Sequence, residues 1–279
     1  MKSIVILPNA KKDINYEVTQ RAAGELLSLG AAVYLSADAE CEIAGAIRYT
    51  DFPKEAEAIL VVGGDGSVLD AAPLAVQYGI ALFGINCGRL GYLAEVEPAD
   101  IESLSQIVGG EYEIEEKMLL EVSVGEGESV TVCERFAVND CILFSNQAGI
   151  GEFCLRTGEG ERVKYRGDGI VISTPVGSTA YSLSAGGPIV THGIDAMLVT
   201  PVCPHSFFNR SIVFGAGETL RFEGKHGLKI QVDGRYFTSV TDAGVCTVRV
   251  AKERLKMLTL TRNQMISTLF RKMKSLENI

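Results

Sequence analysis

The first half of the chain alternates short apolar runs with segments in which apolar residues recur at helical spacing. This pattern predicts strands over residues 3–7, 31–35, 59–62 and 80–85, and helices over 13–29, 68–77 and 98–108. Strands that alternate with helices pair in parallel, because each helix carries the chain back across the sheet. We therefore predict a Rossmann-like α/β domain with a parallel sheet over residues 1–112.

Beyond Gly109-Gly110 the long helical segments disappear, and short strand-like runs follow one another between glycine-containing turns. Strands are predicted over residues 118–124, 130–138, 141–144, 169–173, 197–201, 228–232 and 245–250. Short strands at regular spacing are typical of sandwiches. The pattern therefore predicts a mostly β, β-sandwich-like second domain over residues 113–259.

The last part of the chain has an apolar stripe at helical spacing. The stripe consists of Met265, Ile266, Leu269, Phe270 and Met273. It is typical of a helix that packs on a protein core rather than of a membrane anchor. We predict a C-terminal helix over residues 260–279 that returns to the first domain.

The composition is that of a globular protein and argues against several classes of partner. The 279 residues are 47% hydrophobic and 22% charged. A net charge of −9 argues against nucleic-acid and membrane partners, because such binding needs a basic surface. No apolar stretch approaches the roughly 18 residues of a membrane span, and no signal-peptide core occurs, so a cytoplasmic location is expected. The seven cysteines lack a C-x-x-C pair and are predicted to be reduced core residues.

The most informative stretch follows the apolar run at 59–62 and consists of Gly63-Gly64-Asp65-Gly66-Ser67. Glycines let the backbone approach a ligand closely, and the amides of a helix's first turn favour bound phosphate. An aspartate in such a loop can accept a hydroxyl proton, and we expect it to contribute little to the core. A tight turn with Asp65 or Ser67 as the helix N-cap explains the same residues, so both interpretations stay open.

A second stretch, residues 165–190, combines small hydroxyl residues and glycines with the aromatic ring of Tyr181. Such residues suit a close-fitting pocket for a polar, planar ligand; a serine-rich helix start is the alternative interpretation. Arg166 adds a charge for phosphate, and Asp168 adds an acceptor for an amine. The chain has no G-x-G-x-x-G, P-loop or G-x-S-x-G motif, and its three histidines lack metal-ligand spacing. Any nucleotide site must therefore be built in another way.

These stretches together resemble the NAD kinase family of bacterial type, ATP-dependent enzymes that make NADP. The resemblance covers nearly the whole chain. It rests on blocks in the family's order: residues 63–67; 84–86 with Gly88, Leu90 and Gly91; 139–140; 168–188; and 232–234. The GGDG loop, residues 63–66, is shared with lipid kinases and phosphofructokinases. The block around GSTAYSLSAGGP is much more specific to NAD kinases.

The resemblance implies transfer of the γ-phosphate of ATP to the 2′-hydroxyl of the adenosine ribose of NAD, with Asp65 as general base. The implied phosphate- and ATP-binding residues are Gly63, Gly64, Gly66 and Ser67. The implied NAD-binding residues are Asp65, Gly66, Asn139, Asp140, Arg166, Asp168, Val176, Thr179, Ala180, Tyr181, Ser182, Leu183 and Ser184. The resemblance also implies Mg²⁺ that arrives with ATP, without a protein ligand that we can name, and a homo-oligomer, either dimer or tetramer.

The chain departs from the family pattern at three positions. Ser67 stands where threonine is frequent, Asp140 replaces the commoner glutamate, and Val176 occupies a position where threonine is usual. The shorter Asp140 is expected to lose a ribose contact or to make it through water, and Val176 removes one possible hydrogen bond. Two alternatives remain open: a lipid or sphingoid-base kinase that shares the GGDG loop, and a non-catalytic sensor that binds NAD(P).

Overall fold

The structure of the chain, a computed structural model, describes residues 1–88, 91–126, 128–158, 160–191, 193–206, 209–260 and 269–270. The chain forms two compact units: Met1–Glu116 together with Leu255–Ile279, and Lys117–Arg254. Each unit has a hydrophobic core of its own. The helix predicted over residues 260–279 lies outside the described residues, apart from Leu260, Leu269 and Phe270.

The first unit is built on a parallel sheet. Its strands are β1 (Ser3–Pro8), β2 (Ala32–Ser36), β3 (Ile47–Tyr49), β4 (Ala58–Gly63) and β5 (Ala81–Asn86). Its helices are α1 (Glu17–Ser28), α2 (Asp65–Tyr78) and α3 (Leu104–Gly109), with 3₁₀ turns at Ile14–Tyr16 and Pro98–Ser103. The strands pair in parallel in the order β5-β4-β1-β2-β3. β4 and β5 are buried at every position, as strands covered on both faces should be, and the Rossmann-like α/β prediction is confirmed.

Differences from the predicted elements of this unit have local causes. The helix predicted over residues 98–108 is split into the turn Pro98–Ser103 and α3, since Asp100 has non-helical backbone angles. The hydrophobic pattern does not predict β3, a three-residue strand without a buried position. Pro73 lies inside α2, and the helix continues through it.

The second unit is an antiparallel β-sandwich. Its strands are β6 (Glu113–Glu126), β7 (Ser129–Val132), β8 (Asp140–Ser145), β9 (Gly151–Arg156), β10 (Arg162–Gly167), β11 (Gly169–Ser173), β12 (Ala196–Val202), β13 (Ile212–Gly215), β14 (Thr219–Gly224), β15 (Leu228–Val232), β16 (Arg235–Val240) and β17 (Val245–Thr259). The start of β6, up to Glu116, and the end of β17, from Leu255, belong to the first unit. The second unit also has a 3₁₀ turn at Gly177–Thr179 and one helical turn, α4 (Tyr181–Ser184). One sheet has the order β13-β12-β11-β8-β15-β16. In the other layer β10, β9, β14 and β17 follow one another, and β6 pairs with β17 and β7. Leu143 and Ile172 from the first layer share one core with Leu155 and Leu220 from the second, which confirms the sandwich-like prediction.

The strands missed by the hydrophobic pattern are those with few buried positions or with strict alternation. β9 and β10 fall into this group, because their outward residues are polar or charged and mask the short apolar run. The strand predicted over residues 130–138 is too long. β7 ends at Val132, and beyond it Ala137 makes an isolated bridge to Leu120.

The seven cysteines are all unpaired. Three of them are buried, as predicted for core thiols, and three are half-buried. Cys203 is exposed, so the prediction of a core position is wrong for this residue. Among the helices of the described residues, none has the length and apolarity needed to cross a membrane.

Candidate active site

The GGDG loop joins the carboxyl end of β4 to the first turn of α2. Gly64 is the N-cap of α2 and Asp65 is its first residue, and the cap has no side-chain hydrogen bond. The half-buried Asp65 carboxylate instead accepts the backbone N–H groups of Tyr92 and Leu93, each at 2.9 Å, and of Ala94 at 3.3 Å. The N-cap interpretation of Asp65 and Ser67 is therefore wrong. The expectation that Asp65 matters little to packing is also wrong, because it anchors the segment at 92–94.

Packing requires a glycine at one position of the loop, Gly63. A Cβ at Gly63 would lie 2.7 Å from the Cβ of Ser67 and 3.2 Å from that of Asn9, so no side chain fits there. A Cβ at Gly64 would lie 3.6 Å from the Cα of Gly88, an ordinary van der Waals distance, so packing leaves room for it. Asn9 also holds the loop, since its Nδ2 donates a hydrogen bond to Ser67 Oγ at 2.7 Å. The Ser67 hydroxyl, implied by the resemblance to bind phosphate, thus already has a partner within the protein.

The block at 84–91 places the amides that bind Asp65. Asn86 is buried; its Oδ1 accepts the Gly88 amide at 3.0 Å, and its Nδ2 donates to Glu97 at 3.3 Å. Gly91 has a φ of +57°, and a Cβ there would lie 2.6 Å from Asn86 Cγ. Only glycine meets both demands, because other residues are strained in this backbone region. The block that resembles the NAD kinase motif therefore shapes the chain just before residues 92–94.

In the second unit, Asp233 organises the loop that carries two of the predicted NAD-binding residues. Its carboxylate accepts the backbone N–H groups of Val138 at 2.9 Å, Asn139 at 2.8 Å and Asp140 at 3.1 Å. Asp233 itself has a φ of +48°, which is uncommon for a residue other than glycine. Burial raises the pKa of Asp233, while these three hydrogen bonds oppose that shift. We assign no role to this residue from the sequence, although the block at 232–234 belongs to the family pattern.

The turn at 174–179 lies against the same loop. The Thr174 amide donates to the Asn139 carbonyl at 2.9 Å, and the Thr174 hydroxyl donates to the Val138 carbonyl at 2.6 Å. A Cβ at Gly177 would lie 2.7 Å from Asn139 Cα, so glycine is required by this contact. The structure therefore brings Asn139 and Asp140 together with the turn that contains Val176 and Thr179.

The predicted hydroxyl residues have different environments. Ser182 is fully buried, and its hydroxyl pairs with Thr200 Oγ1 at 3.1 Å. Thr179 Oγ1 donates to the Val176 carbonyl at 3.1 Å. Tyr181 is 37% exposed. Ala180 and Leu183 are half-buried, and Ser184 is exposed. Thr179 and Ser182 therefore make hydrogen bonds within the protein, whereas Tyr181 and Ser184 are exposed to solvent.

Arg166 and Asp168 lie at the other end of β11 from this cluster. In the pairing of β11 with β8, Gly169 is opposite Phe144 and Ser173 is opposite Asp140. Four residues of strand separate these ends by about 14 Å. Arg166 and Asp168 are exposed, and a hydrogen bond with the Asp168 carboxylate raises the pKa of the Cys203 thiol. The predicted NAD-binding residues of the second unit therefore form two groups rather than one.

Asp140 is the carboxyl group of this cluster with the most perturbed environment. It is 4% exposed, and burial, followed by the charge of Asp233, raises its pKa from 3.8 to about 7. The group therefore changes charge near neutral pH. Asp140, which is shorter than the glutamate common in the family, can still accept a hydrogen bond, and its protonation state depends on pH.

Asp140→Asn is expected to stabilise the protein more at pH 8 than at pH 5. Between about pH 4 and pH 7 the folded chain keeps a proton that the unfolded chain has released, so wild-type stability falls as the pH rises. The asparagine does not titrate, and its advantage over aspartate should grow by about 3 kcal/mol between pH 5 and pH 8. Urea unfolding of both proteins at the two pH values measures this difference. An advantage of equal size at both pH values would contradict the assignment.

The two units have the fold of solved dinucleotide kinases. The chain is similar to a yeast NADH kinase crystallised with NADH, with a TM-score of 0.83 and 20% identity over 100% of this chain and 88% of the other. It is also similar to an NAD kinase from Archaeoglobus fulgidus in complex with ATP, with a TM-score of 0.71 and 24% identity over 99% of each chain. At this level of identity the likeness establishes the fold class.

Sequence comparison gives the family. The family model of the ATP-NAD kinase N-terminal domain matches residues 4–112, and that of the C-terminal domain matches residues 139–260. An NAD kinase from Lachnoclostridium phytofermentans is 36% identical over 277 residues, which cover 93% of this chain and 94% of the relative. The chain belongs to the ATP-NAD kinase family. This confirms the resemblance and does not favour a lipid kinase.

Proposed function

We propose that the chain transfers the γ-phosphate of ATP to the 2′-hydroxyl of the adenosine ribose of NAD, giving NADP and ADP. Family membership supports NAD phosphorylation as the activity. One observation supports Asp65 as the general base: backbone amides hold its half-buried carboxylate in a fixed orientation at the start of α2. The reaction asks the protein mainly to position two substrates and to stabilise spread negative charge.

The proton acceptor within Asp65 can be assigned to one oxygen. A carboxylate has about four lone-pair positions, and Oδ1 accepts two amides whereas Oδ2 accepts one. A position on Oδ2 therefore remains for the proton of a ribose hydroxyl. A general base must lie within hydrogen-bond reach of the proton it takes, so a carboxylate with a fixed orientation favours one hydroxyl over its neighbours.

Gly66 supports the GGDG loop as the donor-phosphate site. A Cβ at Gly66 would meet no atom within 4 Å, and the residue is exposed. Packing explains Gly63 but neither Gly64 nor Gly66, whereas the close approach of a ligand accounts for both. The first-turn amides and dipole of α2 favour an anion at this place. We assign the donor phosphates to the backbone of residues 63–67.

Magnesium is proposed to enter the site with ATP. It supplies bridging of phosphate oxygens and neutralisation of their charge. Among the described residues, no group of three or more His, Cys, Asp or Glu side chains is placed to hold a metal ion. Mg²⁺ binds well to substrate phosphates and waters with few protein ligands, and such a site fits a loop that is assigned to bind phosphate through its backbone.

NAD is assigned to the cluster around the loop at 138–140. Asn139 and Asp140 would hold ribose or adenine, with Val176, Thr179 and the exposed Tyr181 lining the same place. Ser182 would support this segment rather than contact NAD, because its buried hydroxyl is already hydrogen-bonded to Thr200. The second group, Arg166 and Asp168, would contact a part of the ligand remote from Asp140.

A cytoplasmic homo-oligomer, either dimer or tetramer, is proposed for the assembly. Seven unpaired cysteines fit a reducing compartment. The homo-oligomer rests on membership of the ATP-NAD kinase family.

Incubation with Mg-ATP and NAD is expected to yield NADP phosphorylated at the adenosine 2′-hydroxyl. An NAD analogue without this hydroxyl should bind, give no phosphorylated dinucleotide and inhibit competitively against NAD, since it lacks the nucleophile but keeps most contacts. Phosphorus NMR of the wild-type product locates the new phosphate.

Two results would contradict this assignment. Phosphate on the 3′-hydroxyl or on the nicotinamide ribose would show that Asp65 serves another hydroxyl. Tight NAD(P) binding without any turnover would instead identify a non-catalytic sensor.

A further inference from the structure

The turn that follows β1 lies beside the GGDG loop. β1 and β4 are parallel neighbours with Pro8 opposite Val62, and the Asn9 amide donates to the Val62 carbonyl at 2.9 Å. Parallel strands end at the same edge of a sheet, which is also where open α/β sheets bind ligands. Residues 9–12 therefore start from the same edge as the loop assigned to the donor phosphates.

Asn9 joins the two loops through both ends of its side-chain amide. Nδ2 donates to Ser67 Oγ at 2.7 Å, and Oδ1 accepts the Lys11 amide at 3.0 Å. The Asn9 carbonyl accepts the amides of Lys12 and Asp13, each at 2.9 Å. Asn9 thus fixes the backbone of two consecutive lysines relative to Ser67.

The positive charges of Lys11 and Lys12 are not paired with any group of the described residues. Lys11 and Lys12 are exposed, and neither side chain has a hydrogen-bond or ion-pair partner within the part of the chain that the structure describes. The adjacent Asp13 is buried, and its carboxylate accepts the amides of Val18 and Thr19 and the Thr19 hydroxyl. The Asp13 carboxylate thus makes its hydrogen bonds at the start of α1 and, among the described residues, forms no ion pair with either lysine.

We propose that the turn at 9–12 is the second half of the donor site, in which Lys11 and Lys12 bind the phosphate chain of the donor. This inference rests on the proposed function and extends it to residues outside the GGDG loop. A phosphate chain beside Asp65 adds negative charge to a loop that already holds a carboxylate, so nearby cations are required. Lysine binds phosphate as a point charge without reading the base. Nucleoside triphosphate and inorganic polyphosphate therefore share this contact.

The test compares two double variants with the same change in charge. Lys11→Gln with Lys12→Gln removes the proposed contacts. Lys2→Gln with Lys54→Gln is the matched control, because these exposed lysines precede the same two strands, β1 and β4, at the opposite edge of the sheet. The KM values for Mg-ATP and NAD are measured by NADP formation, and calorimetry measures binding of inorganic tripolyphosphate without turnover.

We expect the KM for Mg-ATP and the Kd for tripolyphosphate to rise together by about 10- to 100-fold in the Lys11 and Lys12 variant, as for the loss of two charged contacts. The KM for NAD should change less than about twofold, and the control variant should behave as wild type. Asn9→Ala keeps both charges and should weaken the same two ligands, because it releases the turn from Ser67.

Equal KM values for Mg-ATP in the two double variants would overturn the inference while NADP formation still supports the function. A parallel rise in the KM for NAD, or a loss confined to ATP without tripolyphosphate, would also overturn it. If tripolyphosphate binding depends on the lysines but wild type forms no NADP, the inference stands and the proposed function fails.

Discussion

Asp65→Asn is expected to lower kcat by about 10²–10⁴, the range for removing a general base. The asparagine amide keeps the size of the side chain but cannot take the proton of a ribose hydroxyl at neutral pH. Steady-state rates at saturating Mg-ATP and NAD measure the effect. Turnover near that of wild type would remove Asp65 from this role.

The same substitution has a structural cost that must be separated from catalysis. One carboxylate oxygen becomes an NH₂ group, which then faces at least one of the amides at 92–94 that Asp65 accepts. Leaving such a donor unpaired costs about 1–3 kcal/mol, so the free energy of unfolding should fall by a similar amount. The steady-state rates should therefore be measured at a temperature at which circular dichroism shows that the variant is fully folded.

Gly91→Ala is the matched control for a change in the position of the segment at 92–94. It leaves the Asp65 carboxylate intact but strains the chain next to Tyr92, because Gly91 has a φ of +57° and lies against Asn86. If Gly91→Ala lowers kcat as much as Asp65→Asn at equal foldedness, the rate loss reflects the position of the segment rather than the lost base.

Asp233→Ala is expected to destabilise the second unit and to raise the KM for NAD at least about tenfold, with a smaller effect on the KM for Mg-ATP. The substitution leaves the amides of Val138, Asn139 and Asp140 without their acceptor. Each amide that water cannot reach costs about 1–3 kcal/mol. Thermal unfolding and the two KM values measure the outcome.

Two further substitutions at Asp233 separate backbone strain from lost hydrogen bonds. Asparagine tolerates the observed φ of +48° and keeps one oxygen, so it should retain more NAD affinity than alanine. Glycine relieves the strain but supplies no acceptor. If Asp233→Gly binds NAD as well as wild type does, the carboxylate does not position the loop.

Much of the fold follows from local pattern. The apolar runs at 59–62 and 80–85 match β4 and β5, because central strands of a parallel sheet are apolar on both faces. β9 and β10 escape the pattern, since they have polar outward residues and take their stability from pairing across the sheet.

The candidate site divides in the same way. The GGDG loop and the block at 177–188 are recognisable from residue types at fixed spacing. The sequence does not show whether a particular hydroxyl group is exposed or already hydrogen-bonded within the protein. Ser182 is buried and paired with Thr200, whereas Tyr181, its neighbour in the chain, is partly exposed. Likewise, the separation of Asp168 from Asp140 follows from strand register, which depends on the whole sheet.

The sequence by itself determined the α/β and β-rich halves and the family, and it predicted Asp65 as the general base. Only the tertiary structure decided what holds the two key aspartates. Asp65 meets amides 27 to 29 residues away, and Asp233 meets amides 93 to 95 residues away. Every residue except proline has the same backbone N–H group, so the sequence does not show which of these groups bind a given carboxylate.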